Sequence, residues 1–125
     1  MRRRLVRLLG LALVAVISIA LLRAQTDATG TWDLTVVSRQ GTATPSLTLQ
    51  QSGEQLSGTY HGRFGDSKVT GTVRGDDIQF TVTLRFQDQD HVITYTGTVA
   101  TDSMKGTVQF GDRGSGTWSG KRRSG

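Results

Sequence analysis

The chain has 125 residues, with 15 basic and 10 acidic side chains, a formal net charge of +5 and no Cys. The absence of Cys excludes disulfides, thiol catalysis and Cys-based metal sites. All of the excess positive charge lies in the first 24 residues, and the remainder is formally neutral; the five basic residues concerned are Arg2, Arg3, Arg4, Arg7 and Arg23. Because nucleic-acid binding requires a basic patch on the folded domain, the composition does not favour a nucleic-acid partner.

The N-terminal segment has the pattern of an export signal. A basic start, Met1 to Arg4, precedes an uncharged apolar run from Leu8 to Leu22, and Ala24 ends a passable cleavage site. We therefore expect a signal peptide over 1–24, with an uncleaved membrane anchor as the alternative, because Leu22 is larger than the residue preferred there. The expected location is periplasmic or secreted, by the general or the twin-arginine route, or attached to the inner membrane if the signal stays. Residues 25–29 are expected to form a short linker.

The remainder, 30–123, shows the alternation of polar and apolar residues that is typical of β-strands. The tripeptide Gly-Thr-bulky recurs at one phase of this alternation, and a Gly inside a strand marks a sharp bend or a close backbone approach. These inward Gly residues either relieve crowding between strands or open space for a ligand. The pattern predicts an all-β domain, an eight-stranded antiparallel up-and-down barrel; the predicted strands are 31–39, 46–51, 55–61, 67–74, 77–86, 91–100, 103–110 and 115–122.

The connections between these strands differ in predicted length. Those at 52–54, 75–76 and 101–102 are tight turns, whereas the other four, 39–45, 61–66, 87–90 and 111–114, are longer. Alternate connections of a meander lie at the same end of the barrel. We therefore expect one end closed by tight turns and the other end open as a mouth.

The first strand begins with Gly30-Thr31-Trp32, which resembles the calycin group of barrels, the relatives of lipocalins and avidins. In that group a Gly-x-Trp closes the base of the barrel beneath a basic residue from the last strand. The resemblance implies a structural role for Trp32, with Arg122 or Lys121 stacked on its indole. Strand parity places Trp118 at the same end, so we expect the two indoles to be neighbours and to plug the base.

Over nearly the whole length after the signal, the chain also resembles a small recurring domain of exported bacterial proteins. The shared pattern is Gly-Thr-Trp, Leu-x-Gly-Thr, Gly-Thr-Val and Gly-x-Trp. This resemblance implies no particular activity. Leu56 to Tyr60 is similar to the avidin strand that ends in a ligand-contacting Tyr. The Asn after the first Trp and the several binding Trp residues of avidin are missing here, so biotin binding is not expected.

The expected mouth gathers apolar and aromatic side chains with a few polar ones, which is the usual make-up of a small-molecule site. The candidate ligand-binding residues are Tyr60, Phe86, His91, Tyr95, Phe110 and Arg63. The expected partner is a small apolar or amphipathic molecule, and no cofactor or metal is expected. The alternative is a filled core, because an eight-stranded barrel has room for little more than its own side chains.

His91 is the only His in phase with the interior, and His61 is expected to be exposed. A general acid or base needs a partner within hydrogen-bonding distance, which Asp88 or Asp90 would supply. Since no catalytic set stands out, we do not expect an enzyme. Three hypotheses follow: an exported barrel that binds a small molecule, a structural or protein-interaction module of the envelope that uses its Thr-rich outer wall, and a small barrel enzyme that uses His91.

Overall fold

A computed structural model describes residues 26–124. The predicted signal peptide or anchor over 1–24 lies outside them. In the described part of the chain, no helix has both the length and the apolar character needed to cross a membrane. The described residues form nine strands and one short 3₁₀ helix: β1 Gly30–Ser38, β2 Gly41–Ala43, β3 Ser46–Ser52, β4 Gln55–Gly62, β5 Gly65–Arg74, β6 Asp77–Phe86, β7 Gln89–Val99, β8 Ser103–Gln109, η1 Gly111–Arg113 and β9 Ser115–Arg122.

Every strand pairs with its neighbours in antiparallel orientation, in the order β2-β1-β3-β4-β5-β6-β7-β8-β9, and β9 pairs back onto β1. This last pairing runs from Trp32 opposite Arg122 to Val37 opposite Thr117. It closes the sheet and leaves no long unpaired edge, which is how barrels avoid edge-to-edge aggregation. The prediction of an eight-stranded antiparallel up-and-down barrel is confirmed.

The short strand β2 corrects one prediction. The segment 39–45 was expected to be a long loop, but β2 pairs with the end of β1, with Val36 opposite Ala43. The same register continues from β1 into β3. Between β2 and β3 lies Pro45, which has no N–H to donate to the ladder, although its carbonyl accepts a hydrogen bond of 2.9 Å from Leu34 N. The second strand of the barrel is therefore interrupted at Pro45 and projects beyond the rim as a hairpin arm.

Two further connections at this end are shorter than predicted. Only residues 63–64 join β4 to β5, and only Gln87 and Asp88 join β6 to β7. Both of these turn residues have positive φ, 54° and 61°, as a type I′ hairpin turn requires. The expected contrast between tight turns and long loops is wrong here, because the strands stay paired almost to their ends. The rim is built largely of strand ends.

The buried side chains of the described residues are all apolar or aromatic, and none is charged. Apart from Ala28, they lie at alternate positions of the strands, on the inward face that the alternation predicts. At mid-height three rings pack together: Phe80 stacks on Tyr95 with centroids 4.7 Å apart, and Trp118 meets both edge-on at 5.6 and 5.5 Å. The indole N–H of Trp118 is also satisfied, since it donates to the carbonyl of Thr96 at 3.2 Å.

Glycines make room for this aromatic cluster. In the strand register Gly71 lies opposite Phe80, and Gly106 lies between Gly97 and Trp118. A Cβ at Gly106 would lie 1.9 Å from the carbonyl oxygen of Thr96, far inside van der Waals contact. The backbones approach too closely for any side chain. Relief of crowding is therefore the reason for glycine at this position.

At the opposite end from the hairpin arm, the base of the barrel is closed around Trp32. Its indole is completely buried and donates to the carbonyl of Ala28 at 2.9 Å. Ala28, in the segment expected to be a linker, is itself completely buried. The guanidinium of Arg122 lies 4.3 Å from the centre of the Trp32 ring. The basic residue over the indole is thus Arg122 and not Lys121.

Arg122 also donates hydrogen bonds to three backbone carbonyls in two segments of the chain. Its Nε donates to the carbonyl of Thr101 at 2.9 Å, and its Nη2 donates to that of Asp27 at 3.0 Å. Its Nη1 donates to the carbonyl of Thr29. The N-terminal segment and the turn after β7 are therefore held against the base by one side chain.

The expected neighbour relation between the two Trp residues is wrong. Trp32 pairs with Arg122, whereas Trp118 pairs with Val36, further up the barrel. In this register the partner of Trp118 is Val36, four residues along β1 from Trp32, so the two indoles lie at different heights in the barrel. Trp118 belongs to the mid-height cluster, and Trp32 with Arg122 closes the base.

We predict that Arg122→Lys lowers the free energy of unfolding by about 2 kcal/mol, because an ammonium cannot reach all three carbonyls while covering the indole. Urea unfolding measures the loss. The control is Arg123→Lys at an exposed ion pair with Asp33, where less than about 1 kcal/mol is expected. Equal effects of the two substitutions would contradict the role assigned to Arg122.

We predict that Gly106→Ala destabilises the protein by about 2 to 3 kcal/mol, because the added methyl forces the backbones of β7 and β8 apart. The exposed neighbour substitution Lys105→Ala should change stability by less than about 0.5 kcal/mol. Thermal and urea unfolding measure both. A tolerated alanine at Gly106 would show that the strands can separate without cost.

Candidate functional site

A cavity of about 530 Å³ opens at the end of the barrel that the connections predicted as the mouth. Its walls come from the hairpin arm, the β4–β5 turn, the upper parts of β6 and β7, and η1. The structure brings all six predicted ligand-binding residues to this cavity: Tyr60, Arg63, Phe86, His91, Tyr95 and Phe110. The sequence left open whether the interior is filled or hollow. The base and middle of the barrel are filled, and the top is hollow.

Two tyrosines form the floor. Tyr60 is 8% exposed and Tyr95 is 2% exposed. Burial raises the pKa of both hydroxyls, and the hydrogen bond between them raises the pKa of Tyr95 further while lowering that of Tyr60. The Tyr60 ring lies against Gly62, where a Cβ would come within 2.5 Å of its Cε1. The floor is therefore a polar pair in apolar surroundings, held in place by a residue without a side chain.

An aromatic stack forms one wall. Phe86 stacks on Phe64 with centroids 5.1 Å apart and on His91 with centroids 4.2 Å apart. The guanidinium of Arg113 lies 5.3 Å from the Phe86 ring. Phe64 is 56% exposed, which is unusual for so large an apolar side chain. Sequence reasoning missed Phe64 because it lies in a turn, where no alternation assigns a face.

The structure separates His91 from the carboxylates that an acid–base role would require, those of Asp88 and Asp90. Asp90 points outward and forms an ion pair of 3.1 Å with Arg85, which lies directly across the hairpin. Among residues 26–124 no hydrogen bond joins His91 to a carboxylate, and its Nε2 is buried without a hydrogen-bond partner. The pairing with Asp88 or Asp90 that the enzyme hypothesis requires is not found among the described residues, and alternation sends His91 and Asp90 to opposite faces.

His61, expected to be exposed, reaches the rim of the cavity. Its Nδ1 lies 2.8 Å from Oδ1 of Asp66, and its Nε2 lies 3.5 Å from the Thr48 hydroxyl. The side chain is 41% exposed. The signal for this pair was present in the sequence, because residues five apart across a two-residue hairpin turn face each other. Predicting the pair required placing the turn at 63–64, whereas the sequence analysis placed a six-residue connection at 61–66.

Chemically, the cavity is an apolar chamber with a few polar groups at defined heights. In the part of the chain that the structure describes, no three His, Asp or Glu side chains gather closely enough to hold a metal ion. The floor offers hydroxyls, the wall offers aromatic faces, and the rim offers guanidinium groups. This arrangement suits a molecule that is held by contact and orientation.

We predict that the buried tyrosine pair makes stability fall in alkali. The folded pKa of Tyr95 is raised above its ordinary value of 10.0, so the folded state keeps a proton that the unfolded chain loses. The free energy of unfolding is unaffected below about pH 10 and falls by about 1 kcal/mol per unit above it. Tyr95→Phe should have a shallower decline, measured by urea unfolding as a function of pH. Identical slopes for the two proteins would contradict this.

Comparison with known proteins does not assign this chain to a family. The sequence matches no protein-family model, and it matches no curated protein. Because a barrel of this kind hosts many activities, the fold alone does not assign one. The residues of the cavity are therefore the basis on which a function is proposed.

Proposed function

We propose that this small β-barrel is an exported protein that binds a small apolar or amphipathic molecule in the cavity at its open end. The observation that carries this proposal is a hollow of about 530 Å³ above a packed core. That volume falls within the range of about 300 to 1,000 Å³ typical of small-molecule sites. Its lining of aromatic and aliphatic side chains with few polar groups has the composition of such sites.

The contrast between the two halves of the barrel supports this proposal. Below the tyrosine floor the side chains are packed and almost completely buried, as Leu56 and Val99, nearer the base on the same strands as the two tyrosines, illustrate at 3% exposure each. Above the floor Leu84, Phe86 and Phe110 remain partly exposed. These apolar side chains face inward yet remain in contact with solvent. Removing apolar surface from water is favourable by about 25 cal/mol for each Å². A bound apolar molecule would cover that surface.

The competing hypotheses receive less support. An interaction module that uses the outer wall would not need a hollow interior, and two of the Thr residues there, Thr70 and Thr81, bond to each other at 3.3 Å. An enzyme that uses His91 would need a nearby carboxylate, which faces the other way. Export is proposed from the composition of 1–24.

We predict that the neutral dye N-phenylnaphthylamine binds the protein with enhanced fluorescence, and that Leu84→Trp abolishes this binding by filling the cavity. The matched control is Thr83→Trp, which places the same indole on the outer face of β6 and should bind the dye like the unmodified barrel. Circular dichroism verifies that both variants fold. Binding reduced about tenfold or more corresponds to the loss of about 1.4 kcal/mol.

Two outcomes would contradict the proposal. If the unmodified protein fails to bind the dye and its melting temperature does not rise with apolar compounds, the cavity is not a binding site. If Leu84→Trp binds as tightly as Thr83→Trp, the dye occupies another surface.

A further inference from the structure

The charges around the cavity are of one sign. The charged side chains of its lining are two arginines, Arg63 and Arg113. The lining contains no Asp or Glu. The chain after residues 1–24 is formally neutral, so the presence of cations and the absence of acids in the cavity lining do not follow from overall composition.

The carboxylates at this end of the barrel lie outside the cavity. Asp66 is engaged by His61 at 2.8 Å, and Asp90 is engaged by Arg85 at 3.1 Å on the outer face. Asp88 and Asp112 lie in exposed turns and do not line the cavity. Nearby acids are therefore either engaged by other side chains or turned toward solvent.

The two arginines of the lining have no carboxylate partner among residues 26–124. Of the ion pairs that the structure describes, none includes Arg63 or Arg113. Arg113 lies over the Phe86 ring, a position that holds its guanidinium at the wall of the cavity. A guanidinium presents a planar fork of donors that matches a carboxylate in geometry and charge. The rim therefore presents two guanidinium groups that can donate hydrogen bonds to an anion.

The inner part of the cavity has the opposite character. Below the arginines lie the stacked rings of Phe86 and His91, then Ile93 and the tyrosine floor. The tyrosine hydroxyls are neutral near neutral pH, as tyrosines ordinarily are, and burial raises their pKa further. An occupant thus meets positive charge at the entrance and apolar surface with neutral hydroxyls inside.

On the basis of the proposed binding function, we infer that the ligand is an organic anion, a carboxylate on an apolar body. Its apolar part lies against Phe86 and Ile93, and its carboxylate lies at the rim between Arg63 and Arg113. A neutral ligand of the same shape would leave both guanidinium groups without a counter-charge. An anion of the same shape gains charge-assisted hydrogen bonds from them.

Naphthoate and naphthamide, taken as the same positional isomer, test this inference. They have the same shape and differ in charge. Isothermal titration calorimetry near neutral pH and at low salt should give naphthoate about tenfold tighter binding, the equivalent of about 1.4 kcal/mol. Arg63→Gln and Arg113→Gln should each reduce this preference, and the double variant should remove it without weakening the binding of naphthamide. Added salt should weaken naphthoate alone.

Arg85→Gln is the matched control, because it removes the same charge from the same end of the barrel on the outer face. It should leave the preference for naphthoate unchanged. An equal loss in Arg85→Gln would assign the effect to general electrostatic attraction and overturn the inference.

The outcomes also separate this inference from the proposed function. If the protein binds the neutral dye but shows no preference for naphthoate, the cavity binds ligands and the inference about the anion is wrong. If the protein binds naphthoate, naphthamide and the dye equally poorly, the proposed function fails. A preference that survives the double variant would place the carboxylate elsewhere and also overturn the inference.

Discussion

Pairing of the first strand with the last is the constraint on which the rest of this structure depends. The β1–β9 ladder turns a meander of hairpins into a closed cylinder, so the inward side chains of all strands face one another. It also brings Arg122 over Trp32, and it places Trp118 beside the other rings of the core. A non-local pairing of this kind must overcome the cost of closing a long chain segment. The contacts at the base, which join the two ends of the domain, supply part of that stabilisation.

Closure has a consequence for which residues the strands contain. Strands that curl tightly bring neighbouring backbones together on the inside, and at Gly106 no side chain fits. The same glycine makes space for Trp118 across the ladder. Small and large residues therefore alternate between paired strands, and the middle of the barrel is filled without strain. The packed middle separates the sealed base from the open end. The cavity at the rim therefore leaves the packing of the main core intact.

The open end combines features that packing alone would not select. Phe64 is exposed, the Nε2 of His91 is buried without a partner, and two arginines stand at the entrance without carboxylates. The exposed ring and the buried, unpartnered nitrogen each have an unfavourable energy in the free protein, since apolar surface and buried polar groups prefer to be satisfied. The arginines are exposed and hydrated, and they offer charge to an anion. All three are met within one cavity. A single apolar anion would satisfy the exposed ring and the arginines together, which is why the proposed ligand class follows from the charges as well as from the volume.

The sequence by itself determined the fold class, the inward face of each strand and the end at which the cavity opens. The first two depend on local alternation, which can be read from neighbouring residues. The end of the cavity was predicted from connection lengths and strand parity, and the predicted end is the right one although several of those connections are shorter than expected. The six residues predicted at the mouth do meet there, because each lies in phase with the interior or beside a turn at that end. Only the tertiary structure decided the height of Trp118, the hairpin arm, the pairing of His61 with Asp66 and the exclusion of acids from the cavity. These depend on strand register and on where strands end. A displacement of two residues leaves the alternation of faces unchanged but changes which side chains meet.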